Sequence, residues 1–216
     1  MIKNIFLFII SILIGVTAVI SGYLWVAPRD SQILKPFFPK TLFSIENAPS
    51  KSLSGKLASL SGNVSWQSRT ANYATLITSS VKLQQGEEIN VQNNGKAVMD
   101  FPQVATITAS SNTQINFIQT LPANFVVEQK QGLSVYDKNG DIPVSVRALD
   151  LLINIEKGTC TVSVDKDTSD IIVTVNSGSV AVAFNDTGNN TNILTINQGK
   201  EYLFNNDTKL GKIKSL

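Results

Sequence analysis

Apolar and polar positions follow three different rhythms along this chain of 216 residues. Residues 5–27 form one apolar run, with no charge between Asn4 and Pro28. Residues 28–54 carry four of the seven prolines, Pro28, Pro36, Pro39 and Pro49, and close on Ser50, Ser52 and Ser54. From Lys56 onward apolar residues alternate with polar ones at period two, the rhythm of strands with one buried face. Residues 63–66, 104–108, 114–117, 171–175 and 179–184 are the clearest strands, rich in Val, Ile, Thr and aromatics. Residues 147–154 pass for a helical turn, but their β-branched exit at Ile155 favours a strand.

The first run is about 23 residues long. As a helix it would extend about 35 Å, enough to cross a bilayer with some tilt. Tyr23 and Trp25 stand near its end, where interfacial aromatics belong. A cleaved signal peptide is the rival reading, since Lys3 gives a short basic start. The run exceeds the usual length of a signal core, however, and no Ala-x-Ala precedes the polar segment. An uncleaved signal-anchor over residues 1–27 is therefore expected. Counting positive charges puts Arg29, Lys35 and Lys40 against Lys3, which argues for a cytoplasmic domain. Whole domains translocate despite such local charge, so both orientations stay open on charge alone.

Residues 28–54 read as a Pro- and Ser-containing linker. Its apolar residues Leu34, Phe37, Phe38, Leu42 and Phe43 suit packing at the membrane interface or the domain base. Residues 55–206 form one all-β domain, and residues 207–216 a basic tail holding Lys209, Lys212 and Lys214. A solvated, frayed end accounts for those lysines better than contact with anionic lipid.

Within the β domain, a glycine followed by a strand recurs at Gly62, Gly86, Gly132, Gly158, Gly178 and Gly199. The spacing is 20–26 residues, with one interval near double. Each glycine is expected to supply a positive φ at a tight turn. The long interval hides a further repeat near Asn112, since asparagine tolerates the left-handed conformation. Such regular short strands predict a roll or a sandwich with solenoid-like repeats.

Composition then removes chemistry. The chain has no histidine, and so lacks the usual general base and the commonest metal ligand. Its single cysteine, Cys160, excludes an intramolecular disulfide and reads as an inert, half-buried strand residue. A net charge of +2 with scattered lysines gives no footprint for nucleic acid. Asp165, Asp167 and Asp170 are spaced like oxygen ligands of a calcium loop, but Asp170 and Asn176 stand where that loop needs Gly and Glu. A polar hairpin turn is the better reading. Glu87-Glu88 likewise reads as a solvated turn. The sequons at Asn63, Asn185, Asn189 and Asn206 are expected by chance in so Asn-rich a chain. No catalytic, cofactor-binding or metal-binding residue is assigned, no cofactor is expected, and an enzyme is not expected.

Several of these segments together resemble the ectodomain module of the FecR family of iron-dicitrate sensors. The resemblance runs through Leu83-Gln84-Gln85-Gly86-Glu87-Glu88-Ile89, Gly95-Lys96-Ala97-Val98-Met99-Asp100-Phe101 and Asn112-Thr113-Gln114-Ile115-Asn116-Phe117. Its most specific part is Gly158-Thr159-Cys160-Thr161-Val162, then Val173-Thr174-Val175 and Gly178-Ser179-Val180-Ala181-Val182. It covers roughly residues 57–205. The chain departs from the family pattern at Cys160-Thr161, where an aromatic is usual nearby, and at Pro102-Gln103-Val104, where Asp-Gly-Ser is usual. Only about four residues precede the apolar run, so a counterpart of the family's cytoplasmic sigma-regulating domain is not expected and direct sigma-factor control is not carried over. The resemblance implies a bacterial, membrane-anchored, periplasmic or extracellular module without catalysis. Its expected partners are the bilayer, through the N-terminal helix, and an envelope protein or surface polymer. A structural stalk or self-assembling surface subunit is the alternative.

Overall fold

The structure is a computed structural model that describes residues 52–216, with Gly15 the single described position before them. The expected membrane helix, its retention or cleavage, and the linker as far as residue 51 lie outside the described residues. Residues 52–216 belong to one compact unit.

Residues 52–216 fold as strands only, in a mixed, open arrangement of two layers. β1 (Gly55–Ser61) lies in layer one, while β2 (Val64–Gln67) and β3 (Thr75–Ile77) lie in layer two. β4 (Lys82–Leu83) returns to layer one, β5 (Glu88–Val91) to layer two, and β6 (Lys96–Phe101) and β7 (Ala105–Ala109) form a hairpin in layer one. β8 (Thr113–Leu121) lies in layer two. The long β9 (Asn124–Lys138) starts in layer two and ends in layer one; after β10 (Val144–Ala148), β11 (Leu151–Asp165) does the same. β12 (Asp170–Val175), β15 (Lys200–Asn205) and β16 (Leu210–Ser215) complete layer one, and β13 (Ser179–Asn185) and β14 (Thr191–Asn197) complete layer two.

Layer one thus runs β16-β15-β12-β11-β9-β7-β6-β1-β4, and layer two β14-β13-β11-β10-β9-β8-β5-β2-β3. All pairs are antiparallel except β9–β10. The alternation in sequence becomes alternation in burial: in β12, Ile171, Val173 and Val175 are buried and their neighbours are not. The layers meet through these inward rows. Phe101 of layer one packs at 5.0 Å on Phe117 and 4.7 Å on Phe125 of layer two, and Phe184 packs at 4.7 Å on Phe204 across the other half. Such ring spacings are those of well-packed aromatic pairs.

The repeat glycines all have positive φ, from 66° to 86°. The positive φ is as expected, and each glycine marks a corner where the chain leaves one layer for the other, with Gly86 and Gly199 in turns there. Gly158 and Gly178 show the reason. A Cβ on Gly158 would strike the Ser177 carbonyl, and one on Gly178 would strike the Lys157 carbonyl, so two crossing backbones touch there. Asn112 has φ 59° at the β7–β8 crossing, the position expected for the glycine-free repeat, and Asn94 has φ 60° at the β5–β6 crossing. Five hairpins turn on a left-handed residue, Gln103, Leu149, Ser169, Asn189 or Lys209, with φ from 50° to 62°.

Residues 147–154 are strand, as their β-branched exit favoured, interrupted by the β10–β11 turn where Leu149 takes a left-handed conformation that ends β10. Two sequence expectations change. Residues 207–216 are no frayed tail: Leu210–Ser215 pairs along β15 from Asn205 to Lys200. Lys212 and Lys214 alternate with Gly211 and Ile213 there, and edge lysines discourage further pairing. Glu87-Glu88 is no solvated turn. Glu87 is 5% exposed and accepts hydrogen bonds from the Trp66 indole N–H (3.1 Å) and the Gln84 amide (2.9 Å). Glu88 is bonded to Lys130 at 2.6 Å and to Gln114 at 2.7 Å.

Candidate interaction surface

Four hairpin turns of the C-terminal half gather at one end of the layers: β10–β11 at Leu149, β11–β12 at Ser169, β13–β14 at Asn189 and β15–β16 at Lys209. Hydrogen bonds tie three of them together, the β10–β11, β11–β12 and β15–β16 turns. The Asp150 amide donates to Asn206 Oδ1 (3.1 Å), Asn206 Nδ2 donates to Asp150 Oδ2 (3.3 Å), and Lys209 Nζ bonds the same carboxylate at 2.5 Å. The Asn206 amide donates to the Ser169 carbonyl at 2.8 Å, and Asn205 Nδ2 to Asp170 Oδ1 at 2.7 Å. Between these turns lies an open groove of about 440 Å³, bordered by Arg147, Asp150, Leu152, Asp186, Asn189 and Lys209.

The carboxylates here have structural work. The hydrogen bond from Lys209 chiefly holds the Asp150 carboxyl below the usual range, with Asn206 and Arg147 adding to it. The Asn190 amide does the same for Asp186, helped by Asn192 and the Gly188 amide. Asp165 is lowered by the amides of Thr168 and Asp167, which both donate to its Oδ1. Asp165 therefore closes its own turn, as the polar-hairpin reading required, and among the described residues no cluster suited to a metal occurs.

Cys160 is fully buried between Tyr136 of β9 and Val175 of β12, and burial pushes its thiol up to about 12. At neutral pH it is a thiol, not a nucleophile. Beside it Tyr136 Oη donates to Gln129 Oε1 (2.9 Å), while Gln129 Nε2 donates to the carbonyls of Gly132 (2.7 Å) and Val162 (3.0 Å). This network satisfies polar groups where β9 changes layer and is closed to solvent. What the turn end offers is a rigid, polar rim of both charge signs, suited to recognition. Sequence reading missed this assembly, since Asp150 and Lys209 are 59 positions apart.

No family model matches the chain, and no curated protein matches it. Two crystal structures of a putative anti-sigma factor from Parabacteroides distasonis do resemble it, at TM-scores of 0.51 and 0.52 and identities of 16% and 15%. What they share is the fold. Each superposition covers 59% of this chain and 59% of that one, so the likeness spans under two thirds of that protein.

Proposed function

We propose that this chain is a FecR-like, membrane-anchored module that holds its β domain outside the cytoplasm and serves signalling as a non-catalytic accessory. The observation that carries this reading is the two-layer fold it shares with a putative anti-sigma factor. Three segments of the FecR resemblance hold glycine corners, at Gly86, Gly158 and Gly178, and residues 5–27 supply an apolar span of bilayer length. The absence of histidine and the sealed thiol of Cys160 favour binding over catalysis.

The partner is an envelope protein that docks on the turn end, where Arg147, Asp150, Asn189 and Lys209 border the groove. A photo-crosslinking residue placed at Asn189 in growing cells should capture one discrete partner. The same residue at Asp141, in the β9–β10 loop at the opposite end, should capture far less. Equal capture from both ends, or none from Asn189, would contradict docking at this surface. The stalk alternative predicts ladders of this chain alone.

A further inference from the structure

Among the described residues each layer ends in two edge strands, and the four are unequal. β4 has two residues and β3 has three, too short to template much pairing. β16 has six, but Lys212 and Lys214 guard it. β14 has seven, Thr191-Asn192-Ile193-Leu194-Thr195-Ile196-Asn197, with no charge, proline or glycine. Ile193 is 70% exposed and Leu194 39%. Leu152, 44% exposed, joins Ile193 on the outer face of layer two through the register Leu152↔Ala183↔Ile193.

The free backbone groups of β14 can be assigned. The Gln198 amide donates to the Gly178 carbonyl, and the Asp186 amide to the Asn190 carbonyl. Alternation along an antiparallel ladder then turns Asn192, Leu194 and Ile196 toward β13, and leaves the N–H and C=O of Thr191, Ile193, Thr195 and Asn197 facing outward.

We propose that β14 is where two copies of this chain pair, edge to edge and antiparallel, about a two-fold axis at Leu194. Charge decides the occupant. A strand pairing with itself sets its own charges against one another, which penalises β16 and leaves uncharged β14 free to do so. In the register centred on Leu194, Ile193 meets the partner's Thr195 and Thr191 meets the partner's Asn197, so all four outward residues bond. Leu194 then packs on its own symmetry mate. The contact is isologous and closes at two copies, unlike the open array of a stalk. Its small area makes it concentration-dependent rather than permanent. It uses neither the groove nor the turn end, and it stands or falls apart from the partner reading above.

The register gives the test, made on the full chain in detergent. Across a two-fold at Leu194 the two Leu194 Cα atoms stand about 4.5 Å apart, within the reach of a disulfide. The two Thr195 Cα atoms stand about 9 Å apart, beyond it. Leu194→Cys should therefore give a disulfide-linked dimer on mild oxidation, at least about ten times more than Thr195→Cys. The unsubstituted chain, with Cys160 buried, should give none. In the absence of oxidant, light scattering should show the unsubstituted chain passing from monomer to dimer with concentration. Ile193→Lys, a change at a solvent-facing position that leaves the fold intact, should hold it monomeric. A monomer at every concentration, equal disulfide yield from Leu194→Cys and Thr195→Cys, or a dimer that survives Ile193→Lys would each overturn the proposal.

Discussion

Replacing Gly158 with alanine should destabilise the β domain well beyond the same change at Gly199. Both glycines have positive φ, 85° and 75°. A left-handed alanine costs about 1–2 kcal/mol relative to glycine, reduced by a few tenths through the stiffer unfolded chain. Gly199 shows this term alone, because its added Cβ would meet nothing within 4 Å. At Gly158 the added carbon would meet the Ser177 carbonyl oxygen and carbon, which are backbone atoms of the crossing β12–β13 corner and cannot rotate away. Moving them disturbs the bonds of Thr159 with Ser177 (3.2 and 3.1 Å), so a further ~1–3 kcal/mol is expected. Gly158→Ala should then exceed Gly199→Ala by about 2 kcal/mol, which at a urea slope of about 2 kcal/mol/M is a midpoint difference near 1 M. Trp66 fluorescence in residues 49–216, where it is the only tryptophan, reports the transition. Equal midpoints for the two variants would refute the argument that these glycines mark a close backbone crossing.

Three further outcomes are expected. Glu87→Ala strips the Trp66 indole and the Gln84 amide of their acceptor and should cost about 2 kcal/mol in urea unfolding, with Glu87→Gln, which keeps an acceptor, costing less. Asp150 has a folded pKa below its unfolded value of about 3.9, so its stabilising contribution is present above that pH and lost as pH falls through the folded pKa. The stability gap between Asp150→Asn and the parent should therefore shrink below about pH 4, and a gap that widened there would contradict the assigned bonds. Cys160 should resist a thiol reagent at pH 8 in the native chain and react once per chain in denaturant; rapid native labelling would contradict its burial.

The period-two alternation was legible because each strand has one face on the core, as in β12, where Ile171, Val173 and Val175 are buried, and in β13, where Val180 and Val182 are. The glycine spacing was legible too, and Asn112 shows that a left-handed corner can be inferred without a glycine. The purpose of the spacing was not. Whether Gly132 bends a hairpin or carries one strand between layers depends on its neighbours Asn112 and Thr113, which periodicity does not identify. β16 was hidden because Lys212 and Lys214 look like a solvated tail until β15 lies beside them. Glu87 was misread because its acceptor role depends on Trp66, 21 positions away. The turn end was invisible for the same reason, as its bonds join residues from three separate hairpins. β14 did leave a signal, an uncharged Thr/Ile/Leu stretch between an Asn-rich turn and Gly199, which neutral composition made easy to pass over.

Protease accessibility of a C-terminal tag on intact cells, together with the mass of the purified membrane protein, tests the anchored, outward-facing module most directly. The account predicts digestion from outside and a mass that retains residues 1–27. Full protection of the tag, under conditions where a known protein of the same compartment is cut, would place the β domain in the cytoplasm and contradict it.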